Sequence, residues 1–301
     1  MITPSVSLGL PVYNGEAYLA KCLDALLAQT YTDFELIISD NCSTDKTESI
    51  CREYAKRDTR IAYYRQKTNL GAAGNFQKVF TLSKGKYFKW VAYDDLHAPQ
   101  FLERCVNILD TKPEVILCFG DTMIIDAQGK ETEMYHDKLH LDSPFPSERF
   151  KHFLAELGLC NAMFGLIRKE PLGKTPLIAK FVASDVILLA ELSMRGQFYF
   201  VRETLFYRRL HAQASGPAHP TLSSLAAWYD PKHNGKLTLP TWTHFRKYLG
   251  AIRRVPMSIL EKSKCLKILL IWVYYEFQNL KQESQFAFFW FWRQKIKLAK
   301  K

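Results

Sequence analysis

Two adjacent carboxylates, Asp94 and Asp95, follow an apolar segment at residues 87–92. Such a run is typical of a buried strand, so the pair is expected just beyond a strand end. Two neighbouring negative charges repel each other, and a bound cation relieves that repulsion. Mg²⁺ and Mn²⁺ prefer oxygen ligands and commonly take substrate phosphates as further ligands. The pair therefore indicates either a metal-bound diphosphate site or, more simply, caps of the following helix.

The elements that position this pair alternate between strand and helix. Segments with the apolar period of helices separate four short apolar runs, at residues 6–10, 34–39, 61–64 and 87–92. This alternation predicts an α/β fold with a mostly parallel sheet flanked by helices, and right-handed crossovers bring the carboxyl ends of its strands to one edge. Ligands bind along that edge. Pro11, which is expected to end the first strand, Asp40 and Asp94 should converge there.

No glycine-rich phosphate loop of a known type is present. Neither G-x-G-x-x-G after the first strand nor G-x-x-x-x-G-K-[ST] occurs, so a metal is the expected partner of bound phosphates. The segment NLGAAGN at residues 69–75 contains Gly71 and Gly74, which allow either a close approach of the backbone to a nucleotide or only a tight turn. Residues 122–146 are polar and are predicted to form an irregular surface excursion.

The positive charge of the chain is concentrated at its C-terminal end. The 301 residues carry 41 Lys+Arg and 30 Asp+Glu. Residues 241–301 hold 13 basic and 3 acidic residues, which leaves 28 and 27 for the rest. Apolar aromatic runs at residues 265–277 and 286–292 have basic neighbours and are too short to span a bilayer. This tail is expected either to lie on an anionic membrane or to pack on the domain with a basic rim, and it is too apolar for nucleic acid to be the expected partner.

The seven cysteines include no C-x-x-C pair, and no basic, apolar leader precedes the first strand. These features predict reduced thiols and no secretion or zinc site. We expect a cytoplasmic protein, at the inner face of the membrane if the tail binds lipid.

Three motifs together resemble glycosyltransferase family 2, namely VSLGLPVYNG at residues 6–15, SDNCSTD at 39–45 and YDD at 93–95. The resemblance extends over about residues 4–215 and implies a GT-A fold, a nucleoside diphosphate sugar and Mg²⁺ or Mn²⁺. It also implies a catalytic domain at residues 1–215, with a nucleotide-sugar half to about residue 120 and an acceptor half after it. A loop or linker at 216–240 and a basic, aromatic helical tail at 241–301 are expected to follow.

The resemblance also implies roles for individual residues. Pro11 and Tyr13 flank the base, Asp40 binds base or ribose, Asp94 binds ribose or metal, and Asp95 ligates the metal. The remaining candidate contacts to the nucleotide-sugar are Asn69, Gly71, Asn75 and Arg208. The family often has a second Asp at position 41 and Gly at position 42, where this chain has Asn41 and Cys42, so the base stays open, with a UDP-sugar favoured.

Two later segments resemble the acceptor half of the family. ASDVILL at residues 183–189 supplies Asp185 as the general base, which contributes about 10²–10⁴ in rate, or in the simpler interpretation as a carboxylate at a helix N-terminus. Attack opposite the leaving diphosphate then inverts the anomeric carbon. RRLH at residues 208–211 resembles the segment near the diphosphate, which implies that His211 contacts metal or phosphate and that Arg208 contacts phosphate.

The expected function is metal-dependent, inverting transfer of a hexosyl-type sugar to a saccharide or lipid-linked saccharide, in surface polysaccharide or glycolipid synthesis. The main alternative is a non-catalytic module on the same fold that binds a nucleotide-sugar or carbohydrate. The presence of Asp40, Asp94, Asp95 and Asp185 together favours an enzyme. A sugar-1-phosphate nucleotidyltransferase would need a glycine-rich, basic loop after the first strand, which PVYNGE at residues 11–16 is not.

Overall fold

The computed structural model describes residues 3–233 and 236–299, with side chains up to residue 288. One mixed sheet of nine strands, in the order β3-β2-β1-β4-β8-β6-β9-β5 with β7 paired to β6, forms its centre. The strands are β1 (Val6–Val12), β2 (Phe34–Asp40), β3 (Ile61–Arg65), β4 (Tyr87–Trp90), β5 (Leu96–His97), β6 (Val115–Ile125), β7 (Glu131–Tyr135), β8 (Leu166–Arg168) and β9 (Gln197–Arg209). Strands β3, β2, β1 and β4 are parallel, as are β6 and β9, whereas β8 is antiparallel to both of its neighbours.

Helices cover both faces of this sheet, as the alternation of segments predicts. They are α1 (Leu19–Leu27), α2 (Thr47–Arg57), α3 (Gly71–Leu82), α4 (Phe101–Thr111), α5 (Pro146–Glu156), α6 (Lys169–Gly173), α7 (Ser184–Arg195), α8 (Ser215–Ala218), α9 (Leu222–Tyr229), α10 (Pro240–Arg254), α11 (Ile259–Tyr275) and α12 (Phe277–Ala299). Buried residues of α1, α2 and α4 share one apolar core, and those of α3, α5, α7, α10 and α11 share the other.

The sequence predicts that β1 ends at Pro11, but the strand continues to Val12 along β2. Successive residues of a strand direct their backbone groups to alternate sides. The carbonyl of Val12 accepts from Asn41 of the β2 side, while the carbonyl of Gly9 accepts from Val91 of the β4 side. The backbone of Pro11 is therefore directed toward β4, and the pairing of β4 with β1 ends at Trp90. Because proline has no N–H to donate, the β1–β4 ladder stops here while the β1–β2 ladder continues.

The predicted surface excursion at residues 122–146 is wrong in its first part. Strand β6 continues through Ile125, and β7 turns back and pairs with it. Ile124 and Ile125 are buried, and Leu139 and Leu141 further along are also buried. The first part of this stretch therefore belongs to the sheet and its core and is not an irregular surface segment.

The C-terminal helices pack on helices of the preceding domain, α9 on α3, α10 on α7 and α11 on α5. Residues expected to form a linker include α8 and α9, and Tyr229 at the end of α9 is buried. Arg254 of α10 pairs with the buried Glu191 of α7 at 2.6 Å. Within the described residues, no helix is both long and apolar enough to cross a bilayer. The side chains of residues 289–292, which are four of the seven residues in the predicted aromatic run 286–292, lie outside the described part.

Candidate active site

The Asp94–Asp95 pair is joined to the end of β9 by three hydrogen bonds. The backbone N–H of Arg209 donates to Asp95 Oδ1 at 2.8 Å, and its Nε donates to the carbonyl of Asp94 at 2.9 Å. His211 Nε2 lies 2.9 Å from Asp94 Oδ2. These contacts link residues more than a hundred positions apart, so the pair does not merely cap the helix that follows it.

The electrostatic setting of the pair leaves negative charge only partly compensated. Burial, and then the charge of Asp94, raises the pKa of Asp95 well above its usual range. The hydrogen bond from Arg209 and the more distant charges of Arg208 and Lys89 act in the opposite direction. The Asp95 side chain is only 4% exposed, so water screens this repulsion poorly.

The residues present fit a divalent cation bound together with a diphosphate. Among the described residues no cluster of three His, Cys, Asp or Glu side chains is arranged to hold an ion. Mg²⁺ and Mn²⁺ need only one or two carboxylates when phosphates and water supply the remaining ligands. The buried Asp95 meets this requirement, and His211 lies beside Asp94. The assignment of Asp95 and His211 as metal ligands stays a prediction.

The predicted base-binding residues lie at the ends of β1 and β2. Tyr13 is 44% exposed, whereas Asp40 is fully buried. The carboxylate of Asp40 accepts from the backbone of Ser43 at 2.8 Å, from the hydroxyl of Tyr63 at 2.8 Å and from Arg65 at 3.2 Å. Asp40 thus shapes the loop after β2 in this structure, and its direct contact with base or ribose stays a prediction.

The glycine-rich segment supports the loops around the same edge. Asn75 Nδ2 donates to the carbonyl of Ser39 at 2.8 Å and so ties α3 to β2. Asn69 Oδ1 accepts from the backbone of Gly71 at 2.8 Å. Gly71 has a φ of +73°, and a Cβ there would lie 2.7 Å from the carbonyl of Tyr229. The positive φ and this close approach both favour glycine, and the predicted contacts of Asn69, Gly71 and Asn75 with the nucleotide-sugar stay predictions.

Asp185 lies in the first turn of α7, on the acceptor side. Burial and the charge of Asp185, with a hydrogen bond to it, raise the pKa of the Cys160 thiol and of the Tyr229 hydroxyl. Its Oδ1 is buried and meets no hydrogen-bond partner in the described part of the chain. One oxygen of this carboxylate is therefore without a donor among the described residues, and the role of Asp185 as general base stays a prediction.

The two adjacent arginines of the RRLH motif contact different parts of the site. Arg208 donates to the carbonyl of Leu159 at 2.9 Å and to Asn161 Oδ1 at 2.8 Å, whereas Arg209 contacts Asp94 and Asp95. Neighbouring side chains of a strand point to opposite faces of the sheet, so the sequence alone could have predicted that Arg208 and Arg209 make different contacts. The predicted contact of Arg208 with phosphate stays a prediction.

Sequence reasoning missed two groups on the acceptor side. Asp137 is 5% exposed, and Tyr229 lies against Asp185 although its segment had the composition of a linker. Neither residue belongs to a motif. An isolated aspartate near a buried apolar pair, Leu139 and Leu141, was the one indication that Asp137 is buried.

The fold is similar to solved glycosyltransferase structures. S. aureus TarS 1–349 in complex with UDP-GlcNAc has a TM-score of 0.62 at 16% identity, covering 91% of this chain and 73% of that chain. The mannosyltransferase PcManGT from Pyrobaculum calidifontis, in complex with GDP-Man and Mn²⁺, has a TM-score of 0.52 at 14% identity, with 89% and 75% covered. These similarities confirm the predicted GT-A fold.

Sequence relatives identify the family. An uncharacterized glycosyltransferase of Rickettsia typhi is 38% identical over 234 residues, which cover 72% of this chain and 67% of that protein. Another from Rickettsia prowazekii is 30% identical over 228 residues, covering 70% and 65%. The match therefore spans about two thirds of the length of these relatives. The family model for glycosyl transferase family 2 matches residues 7–174, and the chain belongs to that family.

Proposed function

We propose that this glycosyltransferase moves a hexosyl-type sugar from a nucleoside diphosphate to an acceptor hydroxyl with inversion at the anomeric carbon. The observation that carries the proposal is that neighbouring residues of β9 approach two acidic sites. Arg209 contacts Asp94 and Asp95, and the charge of Arg208 opposes the rise in the pKa of both Asp95 and Cys160, which lies beside Asp185. The Asp95 carboxylate accepts from the backbone of Arg209, and Asp185 keeps a buried oxygen without a partner among the described residues. The first site suits a diphosphate with its cation, and the second suits an alcohol.

The reaction is a single displacement. The acceptor oxygen forms a bond to the anomeric carbon while the bond from that carbon to the diphosphate oxygen breaks. The proton of the acceptor passes to Asp185, and the bonding electrons leave with the diphosphate. A general base in this position contributes about 10²–10⁴ in rate.

Asp95, with Asp94 or His211, is proposed to hold Mg²⁺ or Mn²⁺. Such a cation offsets the negative charge of the leaving diphosphate. Arg209 holds the Asp95 carboxylate through its backbone N–H and the Asp94 backbone carbonyl through its guanidinium, whose carbon lies 4.8 Å from the centre of the Tyr18 ring. A uridine diphosphate sugar is the favoured donor, because TarS, which binds UDP and UDP-GlcNAc, is similar over 91% of this chain.

The test is hydrolysis of a donor panel, which needs no known acceptor. UDP-, GDP- and dTDP-sugars are incubated with Mn²⁺, Mg²⁺ or EDTA, and the released nucleoside diphosphate is measured. We expect one donor to be hydrolysed only with a cation, and Asp95→Ala to abolish the release. The matched control is Asp142→Ala, because the Asp142 side chain is 77% exposed.

The alternative is a module that binds a nucleotide-sugar or carbohydrate without catalysis. It would give metal-dependent donor binding in calorimetry, with no release of nucleoside diphosphate from any donor. Absence of both release and binding would contradict the proposed donor site itself.

We further propose that helix α11 places the enzyme on an anionic membrane, where the acceptor is a lipid-linked saccharide for surface polysaccharide or glycolipid synthesis. The inner side of α11 packs on the domain through the buried Cys265 and Leu269. Its outer side exposes large apolar side chains, namely Leu260, Leu266, Leu270, Ile271, Tyr274 and Tyr275. The surrounding tail has 13 basic and 3 acidic residues, which complements anionic headgroups.

Vesicle flotation tests this surface. The protein is mixed at low salt with phosphatidylglycerol vesicles, and with phosphatidylcholine vesicles for comparison. We expect flotation with the anionic lipid and its loss in Leu270→Ser/Ile271→Ser, because each apolar side chain contributes about 1.5–3 kcal/mol when buried. Leu222→Ser, at an exposed leucine of α9, is the control. A wild-type protein that stays at the bottom of the gradient with both lipids would contradict the proposal.

A further inference from the structure

Three residues around Cys160 bury polar atoms that have no hydrogen-bond partner among the described residues. The atoms are both carboxylate oxygens of Asp137, Nδ2 of Asn161 and Oδ1 of Asp185, and this statement covers residues 3–233 and 236–299. Buried polar groups in folded proteins are nearly always hydrogen-bonded, so each exception needs an explanation. Several of them near one candidate base suggest groups that a ligand satisfies.

Asp137 is the most isolated of these groups. It follows β7 and comes directly after His136. The Nδ1 of His136 lies 2.6 Å from Asp121 Oδ1, so this imidazole pairs with Asp121 and does not pair with Asp137. Burial raises the pKa of Asp137 to about 6, the charge of Asp121 adds to this effect, and Arg208 opposes it. Burying a carboxylate without a donor is costly, and a structural role would supply one.

Asp137 belongs to the same site as Asp185. The Cys160 thiol is near both carboxylates, because after burial the charges of Asp185 and Asp137 are the next largest causes that raise its pKa. Cys160 lies in a loop with a φ of +61°, and the Tyr135 hydroxyl accepts from the backbone N–H of the preceding residue, Leu159, at 3.0 Å. Because Tyr135 is two residues before Asp137, this hydrogen bond holds Asp137 near the Cys160 loop, which contacts the candidate base Asp185.

We propose that Asp137 is a specificity-determining residue that accepts hydrogen bonds from hydroxyl groups of a saccharide acceptor whose reacting hydroxyl faces Asp185. Asn161 Nδ2 donates to an oxygen of the same sugar. The inference rests on the proposed function and adds the residues that recognise the hydroxyl groups of the saccharide acceptor. A simple alcohol would satisfy Asp185 but leave Asp137 unpaired, whereas a ring with several hydroxyl groups satisfies both.

Saccharide binding tests the inference separately from catalysis. Methyl hexosides are titrated in a calorimeter into wild-type protein, Asp137→Asn and the control Asp142→Asn, with UDP and Mn²⁺ present. We expect at least one hexoside to bind wild type, and Asp137→Asn to weaken that binding by about tenfold or more, because Asn loses acceptor capacity and gains a donor. Asp142→Asn should leave it unchanged.

The outcomes distinguish the two proposals. If wild-type protein hydrolyses a donor but binds no hexoside, or if Asp137→Asn binds the hexoside as tightly as wild type, the inference about Asp137 is overturned and the transferase assignment stands. If no donor is hydrolysed but hexoside binding depends on Asp137, the saccharide site stands and the proposed catalysis fails. Circular dichroism of the Asn variant excludes loss of fold as the cause.

Discussion

Replacing Asp137 by asparagine removes the charge of a carboxylate that is 5% exposed and meets no hydrogen-bond donor in the described part of the chain. Folding raises its pKa from the ordinary 3.8 to about 6. A raised carboxyl pKa means that the folded state binds the proton more tightly than the unfolded state. The ionised residue therefore destabilises the fold above pH 6, and this effect disappears as the pH falls through about 4.

The size of this effect follows from the shift of about two pH units. At about 1.4 kcal/mol per unit, the ionised carboxyl destabilises the folded state by about 3 kcal/mol at pH 7.5. Asp137→Asn has nearly the same shape and no charge. We therefore expect its free energy of unfolding to exceed that of wild type by about 3 kcal/mol at pH 7.5 and to approach it at pH 4.5.

Urea unfolding followed by tryptophan fluorescence at pH 4.5, 6.0 and 7.5 measures this difference. Other titrating groups affect both proteins equally, so the difference isolates position 137. Asp142→Asn is the control and should differ little from wild type, because the Asp142 side chain is 77% exposed. An Asn variant no more stable than wild type at pH 7.5, or a gain independent of pH, would show that the carboxylate has a compensating partner. A gain in stability with weakened saccharide binding is the pattern expected of a functional residue.

Three further substitutions have definite expected results. Asp185→Asn should lower kcat for transfer by about 10²–10⁴ while calorimetry shows unchanged UDP binding, and an unchanged kcat would remove Asp185 as the base. Gly71→Ala should lower the free energy of unfolding by about 1–3 kcal/mol, since a Cβ would lie 2.7 Å from the Tyr229 carbonyl at a φ of +73°. Glu191→Gln should lower it by about 3 kcal/mol in urea unfolding, because the buried carboxylate pairs with Arg195 and Arg254, and equal stability would contradict that pairing.

The donor half was predictable because its information is local. Apolar runs fix the strands, and parallel pairing then brings the residues after β1, β2 and β4 to one edge whatever the loops do. The sequence does not reveal that Asp40 is enclosed by Tyr63 and Arg65. Those partners come from β3, and only the register of the sheet brings them to the carboxylate.

The acceptor half was harder to predict because its contacts are distant in sequence. Tyr229 reaches Asp185 from a segment whose composition indicates a linker, and burial there depends on packing against α3. Asp137 lies in a stretch that looked polar because β7 is exposed along most of its length. A single carboxylate that tertiary packing buries leaves no periodic signal in the sequence.

Pro11 in β1 has a consequence for how far β1 and β4 remain hydrogen-bonded to each other. The last hydrogen bond between β1 and β4 joins Val91 to Gly9, and the next one would require an N–H from Pro11. That bond cannot form, so the pairing of β1 with β4 cannot extend past Val91, even though β1 itself continues to Val12 beside β2. Beyond Val91, no ladder hydrogen bond of this kind can join β1 to the segment that leads to Asp94. An alanine at this position would restore the N–H donor and allow the β1–β4 ladder to gain one hydrogen bond, while removing the proline ring that is predicted to flank the base.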